Sequence, residues 1–116
     1  MNLSQIEFLE ATFSAPSERV QRTTAVILKY VPAYGRPTVL DIGCGTGEQI
    51  YNLASALPLG NLVGIDISRS NIQTALSDPR LETFRDRVTF QEGNYLDFMS
   101  DGFDVIISES VFHLIE

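Results

Sequence analysis

The chain has 116 residues, 44% of them hydrophobic and 20% charged, which suits one folded domain with a buried core and excludes a disordered tract. Eight Lys and Arg stand against fifteen Asp and Glu, for a formal net charge of −7, a field that repels phosphate backbones and anionic lipid and argues against nucleic acid or a membrane as partner. Cys44 is the only cysteine, so an intrachain disulfide and a multi-thiolate zinc site are excluded and no metal site is expected. No leader-like start and no apolar run of ~18 residues are found, so the expectation is a cytoplasmic protein.

In chain order, Leu3 to Phe13 carries Ile6, Phe8, Leu9 and Phe13 with a modest helical spacing, broken at Ser14-Ala15-Pro16-Ser17. A second helix starts near Ser17, which can cap it, and places Val20, Thr24, Ile27, Leu28 and Val31 on one face. Pro32 and Gly35-Arg36-Pro37 end it. Thr38 to Ile42 is a short apolar strand, followed by a glycine loop and a helix over Glu48 to Leu57. Leu62 to Ile67 is a second strand, ending at Ser68. A helix with Ile72, Ala75 and Leu76 follows, continued by Leu81 and Phe84 after Pro79. Val88 to Gln91 and Phe103 to Ser108 are the third and fourth strands, and Val111 to Ile115 is expected to open another helix. Strands alternating with helices mean crossover connections and a parallel sheet with helices on both faces.

Chemistry concentrates at Val39-Leu40-Asp41-Ile42-Gly43-Cys44-Gly45-Thr46-Gly47. Glycines at alternate positions between a strand and a helix permit a tight turn and close approach of a ligand to the backbone. The next helix directs free N–H groups and its positive dipole end to the same place. A turn without a ligand would need only one glycine. The dinucleotide fingerprint Gly-x-Gly-x-x-Gly fails, because the sixth position is Glu48 counted from Gly43 and Ile50 counted from Gly45. No Lys follows the last glycine, so the P-loop pattern fails too. Asp41 would repel a pyrophosphate but suits a cationic ligand, and S-adenosylmethionine carries a sulfonium and an ammonium.

This segment resembles the first motif of the Rossmann-like (class I) S-adenosylmethionine-dependent methyltransferases. The resemblance implies an α/β, doubly wound sheet with strand order 3-2-1-4, apparently truncated after the fourth of the family's seven strands. In that family the loop lies under the methionine part of the cofactor, which implies Asp41, Gly43 and Gly45, with Cys44 between them, as cofactor contacts. Thr46 and Gly47 open the helix and are lesser candidates. Asp66, ending the second strand, implies a ribose-diol acceptor, its bland alternative being a helix cap. Ile67 would pack on adenine. Val88 to Phe98 resembles the adenine-recognising segment, with Asn94 where many relatives have Asp; its side-chain oxygen can still accept from the adenine amino group, and the Tyr95 N–H would donate to the ring.

Phe103 to Ser110 resembles the family's fourth strand, whose end, at Ser108, faces the methyl group. Ser108-Glu109-Ser110 departs from the Asp/Asn-Pro-Pro-aromatic signature of nucleic-acid amino methyltransferases. Val111-Phe112-His113-Leu114 resembles a stretch common in small-molecule methyltransferases. His113, the only histidine, is a candidate general base, or else a half-buried side chain closing over the cofactor. Residues 1–36 are expected to be an N-terminal helical segment and 37–116 the cofactor-binding domain. The implied activity is methyl transfer to a small-molecule acceptor; the alternative is a non-catalytic cofactor-binding or assembly module. A fourth strand with a free apolar edge would favour a homo-oligomer through that edge.

Overall fold

In the computed structural model, which describes residues 7–8, 16–94, 102–108 and 111–114, the elements run β1 (Glu7–Phe8), α1 (Pro16–Tyr30), β2 (Thr38–Ile42), α2 (Glu48–Ala56), β3 (Asn61–Asp66), α3 (Arg69–Ser77), α4 (Pro79–Glu82), β4 (Val88–Glu92), β5 (Val105–Ser108) and β6 (Val111–Leu114). They build one sheet of order β1-β6-β5-β2-β3-β4. β2 pairs in parallel with β3 and β5, and β3 with β4. Counted alone, the four parallel strands have the order 3-2-1-4, with helices around them: the Rossmann-like order expected.

The register explains the core. Val88, Leu62, Val39 and Val105 stand side by side across the sheet, each no more than 6% exposed. Because side chains alternate between faces, this row shares its side with the row two residues on, Phe90, Gly64, Asp41 and Ile107. Val26 and Ile27 of α1 and Ile50, Leu53 and Ala54 of α2 belong to the same buried cluster. Truncating one such residue, Leu53 for instance, costs about 2–5 kcal/mol. Gly64 is needed for lack of bulk: a Cβ there would lie 2.9 Å from both Cys44 Sγ and Phe90 Cδ1.

Capping and polar contacts fix the helices. The Ser68 hydroxyl accepts from Asn71 N–H at the start of α3, and Asp78 accepts from Arg80 N–H at the start of α4, where Pro79 takes the first position. Arg87 donates to the carbonyls of Ala54, Leu57 and Gly60 at 2.6, 2.8 and 3.2 Å, holding the end of α2. Gln49 donates to the Val20 carbonyl and to Thr24 Oγ1, at 3.3 and 2.9 Å, tying the start of α1 to the start of α2. The buried side of α1 is Thr23, Thr24, Val26 and Ile27, while Leu28 is exposed. The stripe is thus rotated from the expected one toward Thr23 and Val26, while Thr24, whose hydroxyl accepts from Gln49, and Ile27 are buried as expected.

Three expectations are corrected. Val111–Leu114 is a strand and does not open a helix: it runs antiparallel to β5, Ser108 facing Val111 and Val105 facing Leu114. Four residues that include β-branched and aromatic side chains satisfy their backbone against a neighbouring strand more readily than in a lone helical turn. Glu7–Phe8 is likewise extended, paired antiparallel with β6; the remainder of the expected Leu3–Phe13 helix lies outside the described residues, as does Ile115. β5 is consequently an interior strand, flanked by β2 and β6. A free fourth-strand edge does not exist, and the argument for a homo-oligomer through it falls.

Candidate functional site

At the carboxyl end of β2 the backbone turns through Gly43, Gly45 and Gly47, with φ of 76°, 58° and 96°. All three lie in the left-handed region that side-chain-bearing residues avoid. Gly47 is also the N-cap of α2 and brings no side-chain cap, so ligand-facing amides at this helix start are not claimed by the cap residue. A Cβ on Gly45 would meet nothing within 4 Å: the loop borders open space.

The end of β3 is tied to that loop. Asp66 Oδ2 accepts from Gly45 N–H and Oδ1 from Ser68 N–H, each at 2.8 Å. Ser68, not Asp66, caps α3. A carboxylate offers about four acceptor sites, so these two bonds hold its plane and leave capacity for a further donor pair. The end of β4 joins the same place, since Gly93 N–H donates to the Asp66 carbonyl at 2.9 Å.

Between these strand ends lies a cleft of about 400 Å³ lined by Ile42, Gly43, Ile65, Asp66, Ile67, Gly93 and Asn94, within the range of small-ligand sites. Ile67 is 81% exposed, an apolar side chain held out at the rim. Asn94, also in the lining, is exposed too. Another groove, of about 480 Å³, follows α3 past Ser70, Gln73, Thr74, Ser77 and Asp78. It is open helix surface without a backbone cradle, whereas the first cleft sits at strand ends, where open α/β sheets bind ligands.

Asp41 is buried and one residue short of the loop. Burial, then the nearby Asp66 charge, push its pKa up to about 7, with Arg19 pulling the other way. Cys44 is also buried, and its thiol is pushed up to about 12 by burial and by Asp41 and Asp66. Cys44 is therefore a packing residue against Gly64 rather than a thiolate. Local potential at the loop is negative, which suits a cationic ligand group.

The structure brings Asp41, Gly43, Cys44, Gly45, Asp66, Ile67 and Asn94 to one end of the sheet. Ser108 ends β5 and pairs with Ile42, beside the loop. The His113 backbone lies in β6 opposite Ile106, and Tyr95 lies outside the described residues. Sequence reasoning missed the Asp66 clamp on Gly45 and the role of Gly64. The only sequence signal for the latter was a glycine in the middle of a strand, a mark of close approach by another group.

The sequence profile of the methyltransferase domain family matches residues 36–116. Among curated relatives, the demethylmenaquinone methyltransferase of Symbiobacterium thermophilum is 32% identical over 57% of this chain and 28% of its own length. The release factor glutamine methyltransferase of Aliivibrio fischeri is 27% identical over 80% of this chain and 33% of its own. Among solved structures, the S-adenosylmethionine-dependent methyltransferase of Thiobacillus denitrificans, in complex with S-adenosyl-L-homocysteine, superposes with a TM-score of 0.62 at 27% identity, over 81% of this chain and 36% of that one. The chain spans about a third of the length of each of these proteins. With the parallel order, the glycine turn and the acidic strand end in place, the chain belongs to the methyltransferase domain family, in its Rossmann-like, S-adenosylmethionine-dependent class.

Proposed function

We propose that this chain binds S-adenosylmethionine in the cleft at the ends of β2, β3 and β4, as the cofactor-binding part of a methyltransferase acting on a small molecule. The observation that carries the proposal is the Asp66 carboxylate, fixed by two backbone amides at the cleft floor beside a left-handed glycine turn. Its remaining lone pairs fit the two hydroxyls of a ribose. Ile67 offers an apolar face to adenine, Asn94 and the Tyr95 amide its polar partners. Asp41 supplies negative charge near the loop, where the ammonium and sulfonium would lie.

When bound, the sulfonium supplies an already activated methyl group, so the protein's task is alignment and, where needed, removal of a proton from the acceptor. Ser108 is assigned to the wall facing that methyl, and His113 to the proton transfer. His113→Asn should then lower kcat while leaving cofactor affinity alone; unchanged kcat removes that role. The division into an N-terminal segment, 1–36, which holds β1 as well as α1, and a cofactor domain, 37–116, and a cytoplasmic location belong to the same proposal.

A small-molecule acceptor is favoured over RNA by the net charge of −7. The second reading is a non-catalytic cofactor-binding module. A methyl-transfer assay separates them: the full-length gene product, incubated with methyl-labelled cofactor and a metabolite extract, should label a small molecule. Cofactor binding without transfer by the full-length protein would favour the module.

A further inference from the structure

We infer that Gly64 is a positioning residue for the cofactor, acting through Cys44 and the glycine loop on the Asp66 carboxylate; the assignment rests on the cofactor reading above. Gly64 stands in β3, two residues before Asp66, and shares the covered face of the sheet with the buried Leu62. β3 lies between β2 and β4, and an interior parallel strand ordinarily fills such a position with a branched side chain. Glycine gives up that packing and loses more chain entropy on folding. Nor does the backbone call for it, since the φ of Gly64 lies outside the left-handed region that Gly43, Gly45 and Gly47 occupy. What the position requires is space.

That space is taken by the loop. A Cβ on residue 64 would lie 2.9 Å from Cys44 Sγ, 3.0 Å from Cys44 Cβ and 2.9 Å from Phe90 Cδ1. Phe90 is half-buried on β4, at the end of the sheet, and is the neighbour freer to give. Cys44 is buried, and its N–H joins that of Gly43 on the Ile65 carbonyl, each at 2.9 Å. A side chain at position 64 therefore pushes on the loop itself. The next amide along that loop, Gly45 N–H, is the one that donates to Asp66 Oδ2 at 2.8 Å.

The Gly45 bond matters because a carboxylate turns easily about its last torsion. Ser68 N–H holds Oδ1 from two residues along the chain, and Gly45 N–H holds Oδ2 from the loop, so the two anchors together fix the carboxylate plane. Lifting the loop removes one of them. A diol gains both charge-assisted bonds at once only when the plane is set beforehand. The close approach of Cys44 to Gly64 is thus converted into selection for a ribose diol over a deoxy sugar.

Calorimetry on the full-length protein, with S-adenosyl-L-homocysteine and its 2′-deoxyribose analogue as paired ligands, tests the assignment. The wild type should prefer the ribose form by about tenfold or more, as one hydrogen bond to a charged acceptor would give. In Gly64→Ala the preference should shrink to within about twofold as the carboxylate loses its second anchor. In Gly64→Ala/Cys44→Gly, where the added methyl no longer meets the sulfur or its Cβ, the preference should return. Arg87→Ala, which loosens the far end of α2, should lower the melting temperature and keep the preference, so lost stability alone does not imitate the effect. Should Gly64→Ala not fold, Cys44→Val adds a second γ branch to the same contact from the loop side and should lose the preference in its place. A folded Gly64→Ala or Cys44→Val protein with the wild-type preference, or a folded double variant without it, overturns the role of Gly64. Wild-type protein that binds neither ligand, or both alike, refutes the cofactor reading at Asp66, and this assignment with it.

Discussion

Replacing Asp41 by Asn should stabilise the ligand-free protein at alkaline pH and flatten its stability–pH curve. The Asp41 pKa rises from 3.8 to about 7, burial being the first cause and the Asp66 charge the second, while Arg19 acts in the opposite direction. The folded state therefore holds the proton more tightly than the unfolded chain. The associated stability is fully present below about pH 4 and is lost as pH rises to about 7. Three units at ~1.4 kcal/mol each make the loss on the order of 4 kcal/mol, an upper figure because the surroundings relax. Asn mimics the protonated acid in size and polarity and cannot ionise. Urea unfolding of both proteins at about pH 5 and about pH 8 measures the effect. Asp78, whose carboxyl the Arg80 guanidinium holds below the usual range, contributes the opposite slope in both proteins and cancels in the comparison. The Asn variant should be the more stable by about 1.6 kcal/mol at the acid value, where about 1.2 of the units are already lost, and by about 4 kcal/mol at the alkaline one. Parallel curves for the two proteins would refute the reasoning. The same substitution should weaken S-adenosylmethionine, since the ionised acid is the form that favours its cationic groups.

Gly45→Val should abolish cofactor binding with little loss of fold: a Cβ there meets nothing within 4 Å, so the cost is the left-handed φ of 58°, about 1–2 kcal/mol. A folded Val variant with unaltered affinity, read by calorimetry, would remove the loop from the site. Arg87→Ala should lower stability by about 1.5–3 kcal/mol, because three carbonyls at the end of α2 lose a charged donor; a chemical-denaturation midpoint equal to wild type would contradict that.

What the sequence made legible follows from range. The four parallel strands came from local signals, short apolar runs punctuated by Gly43-Cys44-Gly45-Thr46-Gly47 and closed by Asp66, which constrain the backbone where they stand; their order came only from the family resemblance. β6 was misjudged because Val111-Phe112-His113-Leu114 is too short to show a period, and its state is set by pairing with β5 and β1. The α1 stripe was displaced for a similar reason: which of its residues are buried, Thr23 and not Leu28, depends on how the helix packs on distant parts of the chain. At the site, the residue types were legible and their couplings were not. The raised pKa of Asp41 needs two strands and a helix brought together, and the two amide bonds to Asp66 need the loop folded back on β3.

The central claim is that Asp66 and the glycine loop hold the cofactor. Titration of the full-length protein with S-adenosyl-L-homocysteine, beside Asp66→Ala, tests it most directly, with melting curves to show that the variant is folded. The account predicts one-to-one binding by the wild type and a loss of about thirtyfold or more in the variant, from two charge-assisted hydrogen bonds. Equal affinity in a folded Asp66→Ala protein, or no binding by the wild type, would contradict it.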